Sequence, residues 1–332
     1  MTDFGGVLFD ISFACEGRRY VENGRLFLNA SGASIKGLFR GKDLTLNLFS
    51  EPVEKGRNAY IRLTLDGRTR RIRLPKGEKT IRLQCDKGRH EFEIVKLTES
   101  QNNSFAVTSV ETDGEFLPFL CEPSLRIEFI GDSITTGFGV LSRETYGEYQ
   151  TKEQDVTKAF PHLVSRALNA EYQIVAAGGW GIYKSKYSDY AIPDYYDNVD
   201  LWRNEGKYDR SAFPADLCVV TLGTNDYSYL ADLPEEERAK EREEVKARFS
   251  AFIRKLLRNG KPIILVYGFF DYPDLGVMTE EVRREIESPL LSTLEVQSAA
   301  SLGDIRAGHP GKRTHLSASK RLIKLIRKVL FN

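Results

Sequence analysis

Cysteine and histidine are both scarce in this 332-residue sequence, with four of each. Cys15, Cys85, Cys121 and Cys218 are scattered and form no C-x-x-C pair. That spacing excludes a disulfide scaffold, which a chain of this length does not need, and leaves a zinc cage without ligands. The four read as buried free thiols, and no metal is expected. Charge of one sign is also lacking: 48 Lys and Arg face 47 Asp and Glu, for a formal net charge of +1. Without a basic field, nucleic acid is not an expected partner. No stretch approaches the ~20 apolar residues of a membrane-spanning helix, so no membrane partner is expected either. Met1 to Cys15 carries Asp3 and Asp10 but no Lys or Arg, unlike a signal peptide. The expected location is the cytoplasm, with an exported protein lacking its leader as the alternative.

What remains is ordinary for a soluble globular chain: 41% hydrophobic, 29% charged and 11% aromatic residues, enough for two domains with their own cores. The texture changes near residue 122. Before it, short alternating segments follow one another. Ala59-Tyr-Ile-Arg-Leu-Thr-Leu leads into an Asp66-Gly67 hairpin turn, and Thr80-Ile-Arg-Leu-Gln-Cys and Arg89-His-Glu-Phe-Glu-Ile-Val-Lys-Leu repeat the pattern. Many short strands without a long amphipathic helix predict an all-β jelly-roll sandwich over residues 1–122.

After Pro123 the rhythm becomes strand, loop, helix. Arg126-Ile-Glu-Phe-Ile, Tyr172-Gln-Ile-Val-Ala-Ala, Asp216-Leu-Cys-Val-Val-Thr-Leu and Pro262-Ile-Ile-Leu-Val-Tyr are apolar runs that end near glycines. Such runs suit parallel strands covered on both faces. Val245, Phe249, Phe252, Ile253, Leu256 and Leu257 mark one helical face, preceded by a solvated charge run from Glu235 to Arg248 and ended by Asn259-Gly260. A basic amphipathic helix at about Ser317 to Leu330 reads as cover for the sheet rather than a membrane anchor.

In open parallel sheets the site lies beyond the carboxyl ends of the strands. Four blocks stand there: Gly131-Asp-Ser-Ile-Thr-Thr-Gly-Phe-Gly, Gly178-Gly-Trp-Gly, Gly223-Thr-Asn-Asp and, before the last helix, His309-Pro310. A serine opening a helix beside a glycine has a presented side chain and a backbone N–H at a positive helix end. Glycines in the second block let N–H groups approach a ligand, and Asn225 brings an amide to the same edge.

These blocks, in this order and at these places, resemble the SGNH hydrolases, or GDSL superfamily. A β-sandwich ending in His90-Glu-Phe-Glu-Ile-Val-Lys-Leu-Thr-Glu, a short connector and Leu125-Arg-Ile-Glu-Phe-Ile-Gly-Asp-Ser-Ile-Thr further resembles carbohydrate esterase family 2. That family joins a jelly roll to an SGNH domain and removes acetyl groups from sugar hydroxyls of plant-type polysaccharides. The resemblance covers most of the chain and is weakest between Lys184 and Pro214. It implies an α/β fold: a three-layer α/β/α flavodoxin-like domain with a parallel sheet over residues 123–332, preceded by the jelly roll. The implied partner is an acetylated carbohydrate substrate, with no cofactor.

By the same resemblance Ser133 is the nucleophile, and His309 is the general base and later acid. The oxyanion hole comprises the N–H of Ser133, the N–H of Gly181 (or of Gly179) and the side-chain amide of Asn225. His90, in a sandwich strand, and His162, at a helix start, read as structural; His315, with no block around it, is the alternative to His309. The superfamily usually places an Asp three residues before the histidine, where this chain has Arg306. The imidazole is then oriented by a backbone carbonyl in a Ser–His dyad, by Asp304, or by an acid from elsewhere. Asp132 and Asp226, inside turn motifs, are expected to accept bonds from loop N–H groups. Tyrosines 183, 187, 190, 195, 196 and 208 crowd one insertion with Trp202. Trp180, Tyr183 and Tyr227 are the expected sugar contacts. Two rivals accompany the acetyl-esterase reading. One is a lipase-like or thioester hydrolase. The other is a carbohydrate-binding protein with a decayed site, favoured by a His309 ring beyond reach of Ser133.

Overall fold

The alternation in the first domain places Leu44, Leu46 and Leu48 on one face of a strand, and all three are fully buried. A computed structural model describes residues 12–119 and 124–331. The expected boundary at 122 and Cys121 lie outside the described residues. Nine antiparallel strands make up the N-terminal domain: β1 (Phe13–Glu16), β2 (Tyr20–Glu22), β3 (Arg25–Phe27), β4 (Ser34–Pro52), β5 (Ala59–Leu65), β6 (Arg68–Leu74), β7 (Gly77–Lys96), β8 (Asn103–Thr112) and β9 (Glu115–Leu117). Their order is β2-β3-β8-β4-β7-β5-β6, with β1 and β9 paired along β4. The expected sandwich is therefore one continuous sheet. Strands β4 and β7, 19 and 20 residues long, cross both halves side by side, with a register shift between Gly41 and Asp43. The sheet curls around Phe39, Leu46, Phe92 and Phe105. Asp66 and Gly67, with φ of 48° and 76°, make the tight turn of the β5–β6 hairpin.

The second domain continues with β10 (Arg126–Gly131), β11 (Glu171–Ala176), a ribbon of β12 (Asn198–Asp200) and β13 (Asn204–Lys207), β14 (Leu217–Thr221), β15 (Ile263–Tyr267) and β16 (Leu291–Glu295). Its main sheet runs β11-β10-β14-β15-β16, and every pairing in it is parallel. The helices are α1 (Ser133–Thr136), α2 (Phe160–Leu168), α3 (Ile192–Tyr195), α4 (Thr224–Ala231), α5 (Glu235–Leu257), α6 (Pro273–Ile286) and α7 (Lys312–Phe331). Helices α5 and α6 cover one face of the sheet through Phe249, Phe252, Met278 and Val282. Helices α2 and α7 cover the other through Phe160, Val164, Leu322 and Ile326. The basic C-terminal helix thus spends its apolar face on the sheet, as its pattern predicted.

The two domains are tied by buried polar contacts. Arg18 reaches Glu128, in the middle of β10, at 3.3 Å and donates to the carbonyl of Asn198 at 2.6 Å. Asn29 donates to Asp200 at 2.6 Å. Glu128 also accepts from Gln173 at 2.6 Å and from the Tyr196 hydroxyl, so the carboxylate inside the sheet is fully paired. Among the described residues no helix is long and apolar enough to cross a membrane. Cys218 is a buried free thiol; Cys85 and Cys15 are only half-buried, so the expectation of buried thiols holds for one of these three.

Candidate active site

Strand β10 ends at Gly131, where a side chain has no room: a Cβ would meet Thr135 Oγ1 at 2.0 Å and the Thr221 carbonyl at 2.9 Å. The chain turns there into α1. Asp132 caps that helix by accepting from the Ile134 N–H at 2.9 Å, the turn role expected of it. Ser133 opens the helix and is 5% exposed. His309 arrives from the far end of the chain on a small hairpin of β17 (Ile305–Arg306) and β18 (His309–Pro310). The hairpin is pinned from outside: the N–H groups of Ala307 and Gly308 donate to the carbonyls of Glu144 and Thr145 at 2.8 and 2.7 Å.

Ser133 Oγ and His309 Nε2 lie 2.9 Å apart. On the other side of the ring, Nδ1 is 3.2 Å from the Ala307 carbonyl. A carbonyl oxygen only accepts, so Nδ1 carries the proton and Nε2 has a lone pair for the serine hydroxyl. Ala307 holds a positive φ of 47°, which aims its carbonyl back at the ring. Burial pushes the His309 pKa down to about 4, opposed by the bond to Ala307.

Asp304 does not meet the imidazole. It accepts from the N–H and hydroxyl of Thr314 at 2.8 and 3.1 Å and so caps the start of α7. Of the three orienting groups considered, the carbonyl occupies the position. His315 is fully buried, with Nδ1 accepting from the Phe160 N–H at 3.3 Å. His162 is buried against the Tyr172 hydroxyl at 3.0 Å. His162 thus sits where a structural role was expected, while His315, the alternative to His309, is engaged at Phe160 and not at Ser133.

Asn225, in the first turn of α4, is 5% exposed, and its Nδ2 donates to the Trp180 carbonyl at 2.9 Å. An amide nitrogen carries two hydrogens, so this bond orients the group while leaving one donor. Asp226 accepts from the N–H groups of Ile182 and Tyr183 at 2.8 Å and Lys184 at 3.2 Å. It thereby ties the Gly178–Gly181 loop to α4. A Cβ on Gly181 would come 2.7 Å from Asp226 Oδ2, so only glycine fits there. Gly181 bridges to Ala191, and its carbonyl accepts from Ile192 at 2.9 Å. Among the described residues no three His, Cys, Asp or Glu side chains gather as a metal cage.

One of the expected sugar contacts, Trp180, needs correction. Trp180 is only 2% exposed; its ring packs on Tyr190 at 5.0 Å, Tyr195 at 5.2 Å and Trp202 at 6.3 Å. Burying its apolar area inside the insertion outweighs presenting it to solvent, and no face is left for a pyranose. The Tyr183 ring is covered by the Lys184 ammonium at 4.8 Å and the Arg248 guanidinium at 5.0 Å. Tyr227 stacks on Tyr272 at 4.1 Å, and Tyr272 stacks on Phe270 at 5.3 Å. Phe270 stands edge-on to His309 at 6.1 Å. On its other side His309 meets Phe138 at 4.2 Å, and Phe138 stacks on Tyr149 at 3.9 Å. Phe138, Phe270 and Tyr272 were missed in the sequence, although Phe138 belongs to the Gly131 block and the other two follow a strand end on the site's edge of the sheet.

A serine and a histidine in hydrogen-bond contact at the carboxyl edge of a parallel sheet are the parts of an acyl hydrolase. Residues 129–295 match the GDSL-like Lipase/Acylhydrolase family, and the chain belongs to that family. Residues 15–119 match the Carbohydrate esterase 2 N-terminal family, and the two domains together resemble those of carbohydrate esterase family 2. An acetylxylan esterase / glucomannan deacetylase of Cellvibrio japonicus (strain Ueda107) is 25% identical over 329 residues, 95% of this chain and 88% of that protein. A second protein of that name from the same organism is 34% identical over 191 residues, 52% of this chain and 50% of that protein. Among solved structures, the acetyl xylan esterase Est2A from Butyrivibrio proteoclasticus superposes with a TM-score of 0.88 at 20% identity, covering 100% of this chain and 99% of that one. A family two carbohydrate esterase from Cellvibrio japonicus gives 0.84 at 24% identity, covering 96% of each chain. These two likenesses carry the fold.

Proposed function

We propose that the chain is a carbohydrate acetyl esterase that works through an acyl-serine intermediate, on a flavodoxin-like layered domain spanning about residues 123–332. The observation that carries this reading is the 2.9 Å contact between Ser133 Oγ and His309 Nε2. Membership of an acylhydrolase family supports it, as do relatives named for acetylxylan and glucomannan deacetylation. A ring beyond reach of the serine would have favoured a decayed site; this contact supports an intact one.

In the proposed sequence His309 takes the Ser133 proton as Oγ attacks the acetyl carbonyl carbon. The oxyanion is held by the N–H of Ser133, the N–H of Gly181 and the Asn225 amide. His309 then returns the proton to the leaving sugar oxygen, leaving acetyl-Ser133. A water deprotonated by His309 attacks that ester, and collapse releases acetate and restores the serine. Ala307 keeps the imidazole in the tautomer both half-reactions need.

The acyl group is tested with matched esters. Rates on acetyl-, butyryl- and octanoyl-4-nitrophenol, and on acetylated xylo- and gluco-oligosaccharides, are expected to fall with acyl length and to include the acetylated sugars. A preference for the octanoyl ester would transfer the site to the lipase-like reading.

A further inference from the structure

Glu99 lies three residues beyond β7, in the N-terminal domain, and is 1% exposed. Its side chain reaches out of that domain and beneath the candidate site. Oε1 accepts from the Thr136 hydroxyl and from Gln154 Nε2 at 3.1 Å. Oε2 accepts from the Gly178 N–H at 3.1 Å and from Gln101 Nε2 at 2.7 Å. Each partner offers a hydrogen, two to each oxygen, so the arrangement suits a carboxylate, against a burial that pushes the Glu99 pKa up and with the Ser133 carbonyl, 3.0 Å from the Thr136 hydroxyl, as a second acceptor for it.

Two of the donors belong to the catalytic blocks. Thr136 sits three residues after Ser133, on a helix of only four residues that has little stability of its own. Gly178 opens the loop that carries Gly181. A third donor leads to the histidine: Gln154 also donates to the Thr136 carbonyl at 3.3 Å and accepts from the Tyr149 hydroxyl at 2.5 Å. Tyr149 stacks on Phe138, and Phe138 packs at a tilt against His309. An apolar side chain would fill this space without burying a charge. The carboxylate adds fixed directions for donors on two separate loops.

We infer that Glu99 is a positioning residue, supplied by the N-terminal domain, that holds the Ser133 helix and the Gly178–Gly181 loop in the register the oxyanion hole requires. The inference rests on the esterase reading above. It gives the first domain a part in catalysis independent of any glycan binding.

The test uses the full chain with Glu99→Gln, Glu99→Asp and Thr136→Val. In Glu99→Gln the amide NH2 opposes two of the donors. Its kcat on an acetyl ester is expected to fall about 10²-fold with KM unchanged, the scale of a small misplacement of reacting groups. Glu99→Asp should recover part of that loss. Thr136→Val, which keeps the volume and removes the hydroxyl, should lose about 10-fold. The rate at which a fluorophosphonate labels Ser133 is expected to fall in parallel, because its phosphoryl oxygen occupies the same hole. Labelling is indifferent to the sugar: a wild type that labels but releases no acetate overturns the esterase reading alone. Glu99→Gln that labels as fast as wild type overturns the positioning role. A kcat loss that only tracks the unfolded fraction in a melting curve overturns it too. If Glu99→Gln fails to fold, Thr136→Val decides, and a wild-type rate there overturns the inference.

Discussion

Among the described residues no carboxylate stands behind His309, and this has a measurable consequence. An imidazole backed by an acid gains an anion that stabilises its charged form. Here Nδ1 faces the Ala307 carbonyl at 3.2 Å, and Phe138 and Phe270 flank the ring. Burial lowers the pKa to about 4, well below the ordinary histidine value. His309 must be neutral to act as a base, so activity is present above the folded-state pKa and is lost as pH falls through it. At pH 5.5 most of such a ring is neutral, against about a tenth of an unperturbed histidine. The acidic limb of kcat/KM, which reports the free enzyme, is therefore expected near pH 4 rather than 6.5. The same shift makes the imidazole a weaker base, so the plateau sits low. The assay is kcat/KM for a chromogenic acetyl ester from about pH 3.5 to 8, with circular dichroism at each pH to separate titration from unfolding. A limb centred between pH 6 and 7 in folded protein would refute the reasoning, because it would require an anion or open solvent beside the ring.

Asp304→Ala should lower the melting temperature through loss of a cap worth about 1 kcal/mol, with kcat per folded molecule unchanged; a large kcat loss would return Asp304 to the triad. Trp180→Ala should destabilise the domain by about 3 to 5 kcal/mol in urea unfolding, the scale of a deleted core aromatic. Asn225→Ala should reduce kcat about 10² to 10³-fold at similar KM if its remaining N–H meets the oxyanion.

The parallel strands β10, β11, β14 and β15 were legible because strands covered on both faces are written as uninterrupted apolar runs. Strand β16, Leu291-Ser-Thr-Leu-Glu, was not, because unlike the other edge strand, β11, it is half-exposed or exposed along all of its length after Leu291. Helix α5 announced its buried face, whereas α6 buries only Leu275, Met278, Thr279 and Val282 and leaves a weak stripe. Ser133, His309 and Asn225 stood in short blocks at strand ends, where the fold's geometry gives position a meaning. Trp180 stood in such a block too, but a sequence does not state which way a loop side chain turns. Glu99 was invisible for a different reason: its donors Thr136 and Gly178 lie 37 and 79 residues away. Only the packing of one domain on the other brings them to a single carboxylate.

The central claim is that Ser133 carries the acyl group. The measurement that tests it most directly is acetate release from acetylated xylo-oligosaccharides by the native protein and by Ser133→Ala. Release by the native protein that vanishes in the variant is the predicted result. Equal release from both, or none from either while the oligosaccharides still bind, would contradict it.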